Sequence, residues 1–202
     1  MLEGKRSIDF GLKFAHHAPD VWNALQELPR TGWVERGVSN PETVQEHTIA
    51  LREFTISILD FLPEFSDTEN QEILNMLEVH DWPEAITGDE VIVTRDENEW
   101  RRLREEKFQR EHTAMTTICE AIPIFGFEIF NLWLRFEEGR DPVSRFARQI
   151  DKYQVVEKAF EYEQRGEKVH TPEFIEYSEK IISHPLLLKK LLHLKEKVNM
   201  KI

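Results

Sequence analysis

Apolar residues recur along most of this chain at the three- and four-residue spacing of amphipathic helices. Residues 42–62 show it best, with apolar side chains from Val44 to Leu59 dense enough for a well-buried helix. The sequence has no alternating strand-like run, internal repeat or low-complexity segment. The pattern therefore predicts an all-α fold with roughly seven to nine helices.

Capping residues and prolines mark where these helices begin. Ser39-Asn40-Pro41-Glu42 is expected to open the helix over residues 42–62, and Asp141-Pro142 another. The remaining predicted helices cover residues 68–80, 96–121 and 125–137, with a short one from Pro83 and two more from residues 171 and 185. Because no linker divides them, residues 1–202 are expected to form one domain, with a core at about 29–165 and the helices of residues 171–200 packing on it.

Composition and net charge limit the ligands and the cellular location that we expect for this protein. A formal net charge of -12 argues against binding to polymeric nucleic acid, although a metal and one or two arginines would still allow a small phosphorylated ligand. No apolar run is long enough to cross a membrane. Residues 1–9 lack the pattern of a signal peptide, and the single cysteine, Cys119, fits a reducing compartment, so a cytoplasmic location is expected.

Four polar residues are the candidate chemistry of this chain: His47, the adjacent pair His80-Asp81, and Asp151. Two imidazoles and two carboxylates suit a divalent ion such as Mn, Co, Zn, Fe, Ni or Mg, and leave positions open for water. Adjacent helical residues point about 100° apart, so His80 and Asp81 can face one ion only near a helix end, which Pro83 supplies. The prediction is a metal site between packed helices.

The residues around these candidates form an ordered set of motifs between residues 29 and 163. The motifs are Pro29-Arg30-Thr31-Gly32-Trp33-Val34-Glu35-Arg36-Gly37-Val38, Pro41-Glu42-Thr43-Val44-Gln45-Glu46-His47, His80-Asp81-Trp82-Pro83-Glu84 and Thr87-Gly88-Asp89. Together they resemble the HD-domain superfamily, and in particular its branch of 5'-deoxynucleotidases.

That resemblance implies an all-helical HD domain, a homodimer, and a metal held by His47, His80, Asp81 and Asp151. It also implies an enzyme, a phosphatase that hydrolyses (deoxy)nucleoside 5'-monophosphates to a nucleoside and phosphate. Asp81 and Asp151 would contact the substrate as well as the ion.

The same resemblance assigns two further carboxylates to catalysis. Glu84 would orient the attacking water or shuttle its proton; otherwise it is an acid stabilised by a helix N-terminus. Asp89 matches a position that contacts the sugar, and it also reads as a turn residue after Gly88. Main-chain groups of residues 90–92 are expected to lie beside the ligand.

Arg30 is the candidate phosphate clamp, because a guanidinium pairs with two phosphate oxygens at once. This chain departs from the family pattern there, since Thr31 and Gly32 separate Arg30 from Trp33. Arg36 therefore stays an alternative clamp. Trp33 would either pack against the sugar and disfavour a 2'-hydroxyl, or anchor the loop in the core.

Counting histidines favours a single tightly held ion. Only His112 lies between the His80-Asp81 pair and Asp151, whereas two-metal HD phosphodiesterases place two extra histidines in that interval. A weaker second ion at Glu84 and Asp89 stays open. The alternative functions are an HD-family phosphodiesterase, a nucleoside polyphosphate hydrolase and a non-catalytic nucleotide-binding module.

Overall fold

The structure is a computed structural model that describes residues 8–200. Within this range the chain forms ten α-helices and two short 3-10 turns, and its only extended pairing is an isolated bridge between Pro29 and Thr43. The helices are α1 Pro19–Glu27, α2 Thr31–Val34, α3 Val44–Ile58, α4 Asp67–Val79, α5 Glu84–Thr87, α6 Glu97–Glu120, α7 Gly126–Glu138, α8 Pro142–Gln164, α9 Thr171–Glu179 and α10 Pro185–Asn199.

The all-α prediction is confirmed. Helices α2 and α5 are single turns of four residues, and the other eight have nine residues or more. Residues 1–7, which carry most of the stretch tested for a signal peptide, lie outside the described residues. Among the described helices, none combines the length and the apolar composition that a bilayer crossing requires.

Helix α3 begins later than expected. Its cap is Thr43, whose side chain accepts a hydrogen bond from the Glu46 N–H (3.1 Å), while the Glu46 carboxylate accepts one from the Thr43 N–H (2.8 Å). This reciprocal pair satisfies two free N–H groups at the helix start. The prediction that Ser39-Asn40-Pro41-Glu42 opens the helix is therefore wrong, and Glu42 is instead a buried residue just before it.

The other predicted cap is confirmed. The Asp141 side chain accepts a hydrogen bond from the Ser144 N–H (3.0 Å), with proline in the first turn of α8. Ser66 caps α4 in the same way through Glu69. Each such cap contributes about 1 kcal/mol to stability, and together they fix where the two central helices begin.

The core lies around α4, which packs against α3, α7 and α8. Ile73, Leu74, Met76 and Leu77 on α4 have no exposed surface. Helices α9 and α10 lie against α8 and against each other. This arrangement places the last turn of α4, the first half of α3 and the middle of α8 side by side, where the candidate ligands lie.

The segment before α1 is attached to α4 through a buried acid. The carboxylate of Glu78 accepts hydrogen bonds from the backbone N–H groups of Lys13 (2.8 Å), Phe14 (2.6 Å) and Ala15 (2.9 Å). The guanidinium of Arg52, on α3, lies 3.5 Å from the same carboxylate. Glu78 has no exposed surface, so these partners compensate for the cost of burying its charge.

Candidate metal centre

Three helices each contribute one predicted ligand to a common point. His47 lies on α3, His80 is the first residue after α4, and Asp151 lies on α8. One ligand atom of each residue lies within 4.8 Å of the other two. All three residues are buried, with exposed fractions of 0%, 4% and 7%.

Asp81 is brought to the same place. Its Oδ2 lies 3.1 Å from Nε2 of His80 and 3.9 Å from Nε2 of His47, and its side chain is 18% exposed. The pair lies in the turn between α4 and α5, where three-residue hydrogen bonds, from the Trp82 N–H to the Val79 carbonyl oxygen (3.2 Å) and from the Glu84 N–H to the Asp81 carbonyl oxygen (3.0 Å), replace the α-helical pattern. The structure thus places the four predicted ligands together, with Asp81 as the most accessible of them.

The hydrogen bonds of the two imidazoles leave their Nε2 atoms facing the cluster. Nδ1 of His47 lies 2.8 Å from Oε1 of Gln154, and Nδ1 of His80 lies 2.9 Å from the Leu77 carbonyl oxygen. Both partners are acceptors, so each Nδ1 donates, and in the neutral ring each Nε2 then carries a lone pair. Nε2 of His80 is buried without an aligned hydrogen-bond partner. An unpartnered imidazole nitrogen beside two carboxylates is a donor set that fits a divalent ion.

Three of the four residues, His47, Asp81 and Asp151, favour the charge state that a metal ligand has. The pKa of His80 is instead raised despite its burial, because Asp81 and Asp151 lie beside it. Burial, helped by the nearby Arg30, lowers the pKa of His47. Burial alone would raise the pKa of Asp151, but Lys152, whose Nζ lies 2.8 Å from its Oδ2, and the two histidines hold that pKa well below its usual range. The pKa of Asp81 is also lowered, because its neighbours outweigh its burial. Neutral imidazole and ionised carboxylate are the ligand forms of these side chains.

Glu84 lies at the edge of a cavity of about 680 Å³, which Asp81 and Asp151 also line. It is the first residue of α5 and only 6% exposed, and its Oε2 atom has no hydrogen-bond partner. Burial, with the charges of Asp81 and Asp89, raises the pKa of Glu84 well above its usual value. This geometry places a carboxyl group with a displaced pKa at the position where its predicted catalytic role requires one.

Helix α6 adds another acid with a raised pKa to the cavity, and nothing in the sequence singled it out. Glu111 lines the cavity, and burial raises its pKa to about 7. Its Oε1 lies 3.4 Å from Nζ of Lys107, which is also 3.8 Å from Oε1 of Glu84. In sequence, Lys107 and Glu111 read as an ordinary ion pair on a charged helix. Only the packing of α5 against α6 brings them to the site.

Of the two candidate arginines, the structure brings only Arg30 to the ligands. Its Nη1 lies 3.4 Å from Oδ2 of Asp81, and although burial opposes it, the surrounding carboxylates raise its pKa, so it stays charged. Arg36 is exposed; it donates to the Gly32 carbonyl oxygen (3.0 Å) and stacks over Phe174. Arg36 does not line the cavity of the metal cluster.

Asp89 connects the loop after α5 to the start of α2. Its Oδ2 accepts a hydrogen bond from the Thr31 N–H (2.6 Å), and its carbonyl oxygen accepts one from the Thr31 hydroxyl (2.6 Å). Gly88, just before it, has a φ of +79°, which favours glycine. Asp89 therefore has a structural role in this turn, and it also lines the cavity, where its predicted contact with substrate stays a prediction.

Trp33 is 3% exposed and packs against Tyr162 and Phe174. Its indole N–H donates to Oε1 of Glu42 (3.0 Å), which lies 3.9 Å from Nδ1 of His47. This burial favours the interpretation that Trp33 anchors the loop. Its contact with the sugar stays a prediction.

Comparison with known proteins agrees with this geometry. The HD domain family matches residues 22–187 of the chain. The 5'-deoxynucleotidase hdd1 of Schizosaccharomyces pombe is 31% identical over 175 residues, which cover 83% of this chain and 82% of that protein. The 5'-deoxynucleotidase HDDC2 of Danio rerio is 30% identical over 174 residues, covering 85% and 82%.

A solved structure from Pyrococcus horikoshii, the PH0347 protein, has the same fold, with a TM-score of 0.66 at 24% identity over 86% of this chain and 94% of that one. The predicted resemblance to the 5'-deoxynucleotidase branch is confirmed by the relatives that match. The match over most of its length shows that this chain belongs to the HD domain family.

Proposed function

We propose that this protein is a metal-dependent phosphatase that hydrolyses deoxynucleoside 5'-monophosphates to a nucleoside and phosphate. The observation that carries the proposal is the cluster of His47, His80 and Asp151. It lies next to a cavity that Arg30 and Glu84 line. The names of the similar proteins support the same substrate class.

In this proposal His47, His80, Asp81 and Asp151 would hold one divalent ion, which would be Mn, Co, Mg, Zn, Fe or Ni. Such an ion supplies Lewis-acid chemistry that polarises a phosphoryl oxygen and makes water a stronger nucleophile. Nε2 of His80, which is buried without an aligned hydrogen-bond partner, would be one of the atoms that hold the ion. Metal analysis of the purified protein tests this part, and one tightly held ion per chain is expected.

The chain's own residues bind the phosphate and move the proton. Arg30 stays charged and lines the cavity, so its guanidinium holds two phosphate oxygens. Glu84 takes a proton from the attacking water and returns it to the 5' oxygen of the leaving nucleoside, while the bond from phosphorus to that oxygen breaks. The pKa of Glu84 is raised above its usual value, which suits a carboxyl group that takes up a proton and then returns it.

Phosphate release from a panel of substrates tests the proposal. The panel contains deoxy- and ribonucleoside 5'-monophosphates, a bis-phosphodiester and GTP, each with Mn, Co or Mg. We expect phosphate release from the deoxynucleoside monophosphates and loss of that release in Asp81→Ala. The control Asp20→Ala, which changes an exposed aspartate on α1, should release phosphate like the unaltered protein.

Other outcomes point to the alternatives. Cleavage of the diester or of GTP alone would replace the proposal with a phosphodiesterase or a polyphosphate hydrolase. Binding of nucleotide without turnover would indicate a non-catalytic module. Full activity in Asp81→Ala would reject the metal assignment.

The proposal extends to a homodimer of one-domain subunits in the cytoplasm. Cys119 is a buried thiol whose pKa burial raises to about 11, which makes it unreactive and fits a reducing compartment. Sedimentation equilibrium tests the dimer, and a monomer at micromolar concentration would refute it. Limited proteolysis tests the single domain, and a stable fragment ending near residue 165 would refute it.

A further inference from the structure

The cavity of the metal cluster continues into a second cavity of about 580 Å³. Arg30 and Lys152 line both cavities, and so do the aromatic side chains of Trp100 and Tyr177. The first cavity is rich in carboxylates, whereas apolar and aromatic side chains wall much of the second. A ligand in the two spaces would need a charged end and a less polar end joined at this boundary.

Four apolar or aromatic side chains of the second cavity are well exposed. Val93 is 78% exposed, Tyr177 59%, and Val91 and Trp100 39% each. They come from three separate parts of the chain, namely the loop before α6, α6 itself and α9. Burying them would stabilise the fold, and leaving several of them around one cavity marks a site for an apolar or aromatic ligand.

We propose that this second cavity binds the base of the nucleotide, with Trp100 and Tyr177 stacking on the ring. The inference rests on the proposed function, which places the phosphate beside Arg30 and the metal ligands. A nucleotide with its phosphate there carries its only planar apolar part away from the charged cavity. The two aromatic side chains at the boundary are the ones that such a ring would meet first.

Two polar side chains of the second cavity, Arg36 and Glu173, are too exposed to form a rigid frame for reading base edges. Arg36 is exposed and already stacks over Phe174, and Glu173 is exposed as well. Stacking accepts any base, because every base has a π-face, whereas selection among bases needs fixed donors and acceptors. Stacking in the second cavity therefore favours a nucleotide over a bare sugar phosphate.

The test compares deoxynucleoside 5'-monophosphates with deoxyribose 5-phosphate, which has the same phosphate and sugar but no base. Trp100→Ala and Tyr177→Ala are expected to reduce the preference in kcat/KM for the nucleotide by about 10-fold, within the range measured for loss of one stacked base. Tyr177→Phe keeps the ring and should restore the preference. Phe127→Ala, which removes an 83% exposed phenylalanine on α7, is the control and should change nothing.

Binding of deoxyadenosine, measured by calorimetry, separates this inference from the proposed function. If the protein releases no phosphate but binds deoxyadenosine, and Trp100→Ala and Tyr177→Ala weaken that binding, the base site stands and the activity is wrong. If both variants release phosphate with the full preference for nucleotide, or bind deoxyadenosine as tightly as the unaltered protein, the base site is wrong.

Discussion

The two sides of the metal cluster differ in how their polar groups are paired. On the histidine side, the Nδ1 atoms of both imidazoles are fixed by one acceptor each, Gln154 and the Leu77 carbonyl group, at 2.8 and 2.9 Å. On the acid side, Glu84 and Glu111 share a single cation, Lys107, at 3.8 and 3.4 Å.

This difference separates binding from proton transfer. A group with a fixed partner keeps one orientation and one protonation state, which suits a metal ligand. Burial raises the pKa values of Glu84 and Glu111 although the shared Lys107 opposes the shift, and raised pKa values suit groups that gain and lose protons. If this holds, substitutions on the histidine side change metal binding, and those on the acid side change turnover or its pH dependence.

The largest effect is expected from His80→Ala, which removes a ligand from the histidine side. Because even the loss of a ligand's hydrogen-bond partner costs about 10–100-fold, the loss of the ligand should cost more than that in activity and in metal affinity. Metal content and phosphate release are the measurements. The control is His193→Ala, an exposed histidine on α10. A variant that keeps its metal and its activity would contradict the assignment of His80.

Glu84→Gln should come next. Removing a general acid or base lowers kcat by about 10²–10⁴-fold, while the metal content should stay that of the unaltered protein. The matched control is Glu97→Gln, an exposed acid at the start of α6. Loss of metal in Glu84→Gln would contradict the division between the two sides, because it would show that the acid side also holds an ion.

A smaller effect is expected from Gln154→Leu, which removes the acceptor for Nδ1 of His47. Metal affinity should fall by about 10–100-fold, and Gln154→Glu, which keeps an oxygen acceptor, should recover most of it. Titration of metal into the metal-free protein measures both. An unchanged affinity in the leucine variant would show that the imidazole does not need this partner, and the exposed Gln164→Leu on α8 is the control.

The smallest effect concerns stability and pH at Glu111. Burial raises its pKa to about 7, so between about pH 4.5 and pH 7 the folded protein keeps a proton that the unfolded chain has released. Stability therefore falls as pH rises through this window, and Glu111→Gln should gain about 1–3 kcal/mol relative to the unaltered protein between pH 5 and pH 8.

Urea unfolding of the metal-free proteins at the two pH values measures this difference. Glu120→Gln, an exposed acid at the end of the same helix, should show no such gain. A constant difference between Glu111→Gln and the unaltered protein at both pH values would mean that Glu111 titrates normally in the folded state.

The metal ligands of the histidine side could be predicted from the sequence. On the acid side, Glu84 could be predicted and Glu111 could not. His80, Asp81 and Glu84 lie within five residues around one proline. A proline there predicts a helix end, which lets neighbouring side chains face the same point. Glu111 is one of many acids on a charge-rich helix, and its position at the site follows from the packing of α5 on α6. Tyr177, on α9, is likewise placed only by tertiary contacts.

The start of α3 shows a conflict between two local signals. Pro41 and the polar residues before it are typical of a helix start, and so is the pattern Thr43-Val44-Gln45-Glu46. The second signal dominates because its side chains accept hydrogen bonds from two backbone N–H groups. A proline at the helix start has no N–H group and adds no hydrogen bond. Two residues of displacement then change the role of Glu42 from a helix acid to the buried acceptor for Trp33.

The anchoring of residues 13–15 to Glu78 sets a lower limit on how far the chain can be shortened. A fragment cut to residues 22–187, the part that matches the HD domain family, would lose all three N–H donors and would end α10 at its third residue. Glu78 would then be left with Arg52 as its charged partner, two positions before His80. A fragment limited to the residues that match the family model is thus expected to be less stable than the longer chain, because it leaves a buried carboxylate without its backbone donors.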